Sequence, residues 1–221
     1  VSFKMKVEAS YFEKLYQQAD LVLIPTFRKS EKHLLYHYVD PIVRVKPEDL
    51  ASEEKLMKEL KLKKKPILLM LGGSNFGLKL VKHLNKVAKN YNEEFIIFGG
   101  DVDLDLAKNV KYIKFTEDFL KYLKICKGVI TLAGQKTLSE ALVYQKPILC
   151  YPIKDHIEQT LNAYALEGKA MVSYDNSEQM FDKNLKKFIE EIPLLTIKTQ
   201  KNKVSGDGSK EIIKIISAVL K

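Results

Sequence analysis

Gly134, Thr137 and Glu140 stand three residues apart in "TLAGQKTLSEALVYQKPILCYP", residues 131–152. A short apolar run ends at the glycine, and Thr137, Glu140 and Ala141 then share one helical face by their i, i+3, i+4 spacing. Unpaired backbone N–H groups at a helix start favour an anion, and a glycine lets the backbone approach it closely. Phosphate is the natural candidate at Gly134 and Gln135. A carboxylate at position 140, about one and a half turns along, can accept two hydroxyl hydrogen bonds from a diol such as a ribose. Glu158 and Gln159 follow the next apolar run and offer an acceptor and an amide suited to sugar hydroxyls. A second glycine turn, "GGSNFG", sets Gly72, Gly73 and Ser74 after another apolar run. It lacks both the Gly-Lys-Ser/Thr ending of a Walker loop and the G-x-G-x-x-G spacing of a dinucleotide fingerprint. His33 and His37 lie four apart with no third ligand nearby, so they do not read as a metal site.

These loops need a frame, and residues 66–172 supply one. "PILLML", "EFIIF", "VKYIKF", "KGVITL", "PILCY" and "KAMVSY" read as strands. Between them, "LKLVKHLNKVAKNY", "EDFLKYLKIC", "KTLSEALVYQ" and "IEQTLNAYALEG" have helical spacing. The alternation predicts an α/β fold: a doubly wound, mostly parallel, Rossmann-like sheet with helices on both faces. Ligands of such sheets sit outside the carboxyl ends of the strands, where the three loops open. "EQMFDKNLKKFIEEI" and "SKEIIKIISAVLK" predict two further helices, with "KTQKNKVSGDG" as the loop between them. Residues 1–45 read as a helix, two strands and a link that cannot bury a core alone, hence the tail of a preceding domain. The chain opens "VSFKMKVEAS", without an initiator Met, and reads as part of a longer one.

Composition sets bounds. The 221 residues are 46% hydrophobic and 29% charged, enough for a core and a wet surface. No apolar run approaches a membrane span. Cys126 and Cys150 sit in or beside apolar runs and read as buried, reduced thiols of a cytoplasmic protein. The net charge of +9 is spread along the chain, without Arg clusters or aromatic residues interleaved with basic ones, which argues against nucleic acid. It still favours an anionic membrane surface or a phosphorylated ligand.

Together, Gly134–Thr137–Glu140, the strand ending in Pro152 and "EQTLNA" resemble the donor-binding half of GT-B glycosyltransferases. Among these the likeness is to family 28, related to the peptidoglycan transferase that adds N-acetylglucosamine to a lipid-linked muramyl peptide. "GGSNFG" resembles its Gly-Gly-Ser turn, "KFTEDF" the segment bordering the uracil, and "DPIVR" the interdomain link, with Arg44 as its arginine. The resemblance implies a UDP-sugar donor and inverting, metal-independent transfer to an acceptor hydroxyl on a glycan, a lipid-linked sugar or a small molecule, with no cofactor. Glu140 would bind the ribose hydroxyls. Gly73, Ser74, Gly134, Gln135 and Thr137 would hold the diphosphate, Phe115 and Thr116 the base edge, and Glu158 and Gln159 the sugar. Residues 1–45 would belong to the acceptor domain and link, and 46–221 to the nucleotide-sugar domain, with the helix at 208–220 crossing back. Leu132 stands where relatives place His or Arg, and Asp40 where Gly or Asn is usual. The catalytic base is expected outside this chain. UDP-sugar hydrolases, 2-epimerases and non-catalytic binding subunits share these features and stay open as alternatives.

Overall fold

The structure, a computed structural model, describes residues 3–28, 35–72 and 77–220. Gly73 and Ser74, expected at the diphosphate, and His33 lie outside the described residues. The chain begins with α1 (Phe3–Tyr16), β1 (Val22–Pro25) and β2 (Tyr36–Val39), the two strands forming a small parallel sheet of their own. A link through Arg44 and a short α2 (Glu53–Glu59) lead into the larger unit.

That unit has a six-stranded parallel sheet. Its strands are β3 (Ile67–Met70), β4 (Phe95–Phe98), β5 (Val110–Ile113), β6 (Gly128–Thr131), β7 (Ile148–Cys150) and β8 (Met171–Val172). They lie in the order β5-β4-β3-β6-β7-β8. The helices between them are α3 (Leu78–Val87), α4 (Phe119–Ile125), α5 (Gln135–Val143) and α6 (Ile157–Ala165). A strand buried on both faces has no polar side, and alternate residues supply both cores. Leu68, Ile96, Val129 and Ile148 pack under α4, α5 and α6. Leu69, Ile97, Ile130 and Leu149 pack on the other face, beneath α3 and α7 (Glu178–Lys201).

From β3 the chain winds outward to β4 and β5, and then returns to β6 and winds the other way. The reversal falls between β3 and β6, and open α/β sheets take ligands beyond the carboxyl ends of the strands at such a switch point. Gly72 follows β3 there with φ +69°, a left-handed turn that suits glycine. Gly134 follows β6.

Two elements depart from expectation. The helix expected to end near Ile192 runs on through Pro193 to Lys201, taking in the first part of the expected loop. Only the Ile189 carbonyl loses its N–H partner to the proline. Beyond it, buried Leu195 and Thr199 hold the helix to the core, and Thr199 Oγ1 donates to the Gln145 carbonyl at 2.9 Å. The second is α2, a short helix capped by Ser52, whose Oγ accepts from the Lys55 N–H. The last helix, α8 (Gly208–Val219), packs back against β2, and the Asp40 N–H donates to Glu211 Oε2 at 3.0 Å. Among the described residues no helix is long and apolar enough to cross a membrane.

Both cysteines are free and buried. Burial pushes the Cys126 thiol up to about 11 and the Cys150 thiol up to about 12. The thiolate is the reactive form. Neither thiol should therefore react with a disulfide reagent in the native chain at neutral pH, and both should once it is unfolded. Stoichiometric labelling without denaturant would show that one of these segments opens readily.

Candidate nucleotide-sugar site

The start of α5 is the centre of the site. Gly134 caps the helix with φ −73° and ψ 131°, values open to any residue, and a Cβ there would meet nothing within 4 Å. Neither backbone conformation nor packing among the described residues calls for glycine at this position. Thr137, half-buried one turn on, leaves its hydroxyl without a hydrogen-bond partner among the described residues.

Glu140 is 3% exposed, and its Oε1 has no hydrogen-bond partner among the described residues. Desolvation raises its pKa above the ordinary carboxylate value, while the charges of Lys136 and Arg44 pull the other way. Neither cation has an ion-pair partner among the described residues, and Lys136 sits against the dipole in the first turn of α5. A buried carboxylate with a free oxygen and two idle cations nearby is an arrangement short of a partner. One turn on, Tyr144 donates to the Val45 carbonyl at 2.7 Å and pins the link carrying Arg44 over this face of α5.

The remaining predicted residues border this centre in different ways. Phe115 and Thr116 follow β5, at the amino end of α4, which shares a sheet face with α5. Phe115 is 81% exposed, and Thr116 Oγ1 accepts the Asp118 N–H at 3.1 Å, shaping the turn into α4. Gln135 directs its amide to the Pro25 carbonyl at 3.1 Å and so ties α5 to β1. Gln159 is buried, and its Oε1 accepts from Ala133 N–H at 3.1 Å and Ile153 N–H at 3.0 Å. Its carbonyl thus joins two loops. Glu158 is exposed at the start of α6, with Oε1 3.5 Å from the Gln135 N–H.

Two contributors were missing from the sequence-based set. Lys136 is a helix residue of no evident purpose until the buried carboxylate beside it is seen. Asn162 donates to the Ala133 carbonyl at 2.9 Å; its place in the "EQTLNA" stretch was its only signal. Among the described residues, no three His, Cys, Asp or Glu side chains gather as metal ligands. A separate cleft of about 930 Å3 opens between the ends of β1 and β2 and the α7–α8 connection, and no predicted site residue lines it.

A family model described as glycosyl transferase family 1 matches residues 61–193, more than half of the chain. The chain belongs to glycosyl transferase family 1. The part matched to family 1 carries β3 to β8 and both glycine turns. A protein of Methanosarcina acetivorans described as a glycosyltransferase is 26% identical over 96% of this chain and 60% of its own length. A Bacillus cereus protein is 29% identical over 70% of the chain and 46% of its own length. It is described as a UDP-N-acetylglucosamine–N-acetylmuramyl-(pentapeptide) pyrophosphoryl-undecaprenol N-acetylglucosamine transferase, the enzyme type the loop motifs resemble. Among solved structures, MurG of Acinetobacter baumannii superposes with a TM-score of 0.62 at 16% identity, over 90% of this chain and 67% of that one. That likeness establishes the GT-B type of fold for this family 1 chain. The chain spans about half to three-fifths of the length of the curated relatives it matches.

Proposed function

We propose that this family 1 chain forms the donor-binding half of a hexosyltransferase. In this reading it holds a UDP-sugar at the β3–β6 crevice and presents the anomeric carbon to an acceptor hydroxyl, with inversion. The observation that carries the reading is Glu140: a buried carboxylate with an unsatisfied oxygen, on the helix whose first turn is capped by an open glycine.

Each residue then has a task. The two hydroxyls of the ribose donate to Glu140. The diphosphate lies over Gly134, where the N–H groups of the first turn of α5 and the Thr137 hydroxyl meet it. Lys136 and Arg44 add positive charge on either side of Glu140, and Lys136 makes up for Leu132, where relatives carry a basic residue. When the glycosidic C–O bond breaks, negative charge collects on the leaving diphosphate, and fixed dipoles and cations already aimed there lower the barrier. Phe115 and Thr116 border the base, while Glu158 and the NH2 of Gln159 face the sugar. The acceptor hydroxyl's base comes from outside this chain, and no cofactor is needed.

Gly134→Ala tests the reading. The methyl group enters empty space, so the melting temperature should not change. UDP should bind about tenfold more weakly, ~1.4 kcal/mol, because the methyl stands where phosphate must approach. Thermal melting checks the first point and titration calorimetry the second, and UDP affinity should be the same with and without EDTA. Full UDP affinity in Gly134→Ala would mean that the diphosphate lies elsewhere.

A further inference from the structure

The start of α6 acts on the β6–α5 loop in two ways. Gln159 and Asn162 hold the Ala133 peptide from both sides, at 3.1 Å through its N–H and 2.9 Å through its carbonyl. That is a clamp, and it fixes where α5 begins. Glu158, next along the same turn, is exposed. Its Oε1 faces the Gln135 N–H at 3.5 Å and takes a hydrogen from Asn162 Nδ2 at 3.4 Å. Gln135 is the first residue of α5, and its N–H is one of those that the helix leaves without an internal partner. A carboxylate of the chain itself therefore stands where an anion would be held, beside the open space over Gly134.

We propose that Glu158 makes the site prefer sugar-bearing nucleotide over bare UDP. The proposal rests on the reading that a diphosphate lies at the start of α5. A bare UDP brings its terminal phosphate, with its extra negative charge, against this carboxylate. The two compete for the Gln135 N–H and repel one another. In a UDP-sugar the same phosphate is esterified and carries less charge. The sugar then interposes hydroxyl donors, which Glu158 can accept once it has swung off the amide. The residue that reads the donor sugar thus also expels the product after the sugar has left, so Glu158 is a specificity determinant as well as a sugar contact.

Calorimetric titration of this chain with UDP and with UDP-N-acetylglucosamine, comparing wild type with Glu158→Gln, tests this. Glutamine keeps an acceptor oxygen for Gln135 and Asn162 and removes only the charge. UDP should bind about three- to tenfold more tightly to Glu158→Gln at low salt, the scale of one unit charge at short range near water. The gain should shrink at high salt, and a merely structural role for Glu158 would give no such salt dependence. The nucleotide sugar should bind no more tightly than to wild type, so the ratio of the two affinities moves. Equal shifts for both ligands, no shift, or weaker UDP binding would overturn the proposal. UDP binding that Glu140→Ala weakens but Glu158→Gln leaves unchanged sinks this proposal alone, whereas a wild-type chain that does not bind UDP sinks the donor-site reading beneath it.

Discussion

Glu140→Ala lowers UDP affinity by about ten- to a hundredfold, ~1–3 kcal/mol for the loss of charged hydrogen bonds, and Glu140→Gln melts at a higher temperature than the parent at neutral pH. Both outcomes come from one fact. The carboxylate is 3% exposed and has an oxygen without a partner. Burial disfavours its ionised form, so its folded-state pKa lies above the unfolded value. The folded chain therefore holds this proton more tightly than the unfolded chain does. As pH rises from the unfolded pKa through the folded one, the group's contribution turns unfavourable, and at neutral pH the ionised carboxylate weakens the fold. Glutamine removes that penalty, so its advantage in thermal unfolding should grow from acid to neutral pH. It also turns half of an all-acceptor group into a donor, which cannot take hydrogens from both hydroxyls of a diol. Greater stability with poorer binding is the mark of a group retained for its ligand. UDP affinity unchanged in Glu140→Ala would remove it from the site. A Gln variant less stable than the parent would mean that the carboxylate is already satisfied in solution.

How far the sequence reveals this arrangement depends on the range of the forces involved. β3 and β4 are legible because a strand buried on both faces must be apolar throughout, and "PILLML" and "EFIIF" are. The reversal between β3 and β6 is not, since strand order comes from pairing between distant segments. α2 escapes because it is short and buries only Leu56. α7 outruns the expectation at Pro193 because a tertiary bond at Thr199, which no local pattern announces, holds its second half. Within the site, Glu140's position on a shared helix face is a matter of spacing alone. Its unpartnered state arises only when the link folds over α5, with Tyr144 fastened to Val45. Gln159 shows the converse. Its type suits a sugar, but its carbonyl is committed to Ala133 and Ile153, and that is visible only once α6 is set against the β6 loop.

The second large effect concerns the seat of that link. Gly208 opens α8 and is buried; a Cβ there would fall on the Asp40 carbonyl oxygen, with the Pro41 oxygen 3.1 Å away. These are backbone atoms and cannot swing aside as a side chain would. Several contacts converge on the same spot. Gly208 N–H donates to the Pro41 carbonyl at 3.2 Å, and Ile42 bridges Asp207. Lys46 meets the Asp207 carboxylate at 2.7 Å. Side-chain bonds from Lys46 and then Lys210 hold the Asp207 carboxyl below its ordinary value. Gly208→Ala must push the start of α8 off the link and loosen this set together, at a cost of about 2–4 kcal/mol. For a chain of this size that is a fall of roughly 5–12 °C in melting temperature. Arg44 lies on the displaced link, so UDP affinity should fall as well, though less than in Glu140→Ala. The two glycines therefore have opposite signatures. On the donor-site reading Gly134→Ala loses ligand and keeps its melting point, because no described residue comes close there. Gly208→Ala loses its melting point first, because the chain itself fills that space. A Gly208→Ala variant that melts with the parent would mean that α8 is not seated on the link, leaving the Tyr144–Val45 bond to hold Arg44 beside Glu140 without it.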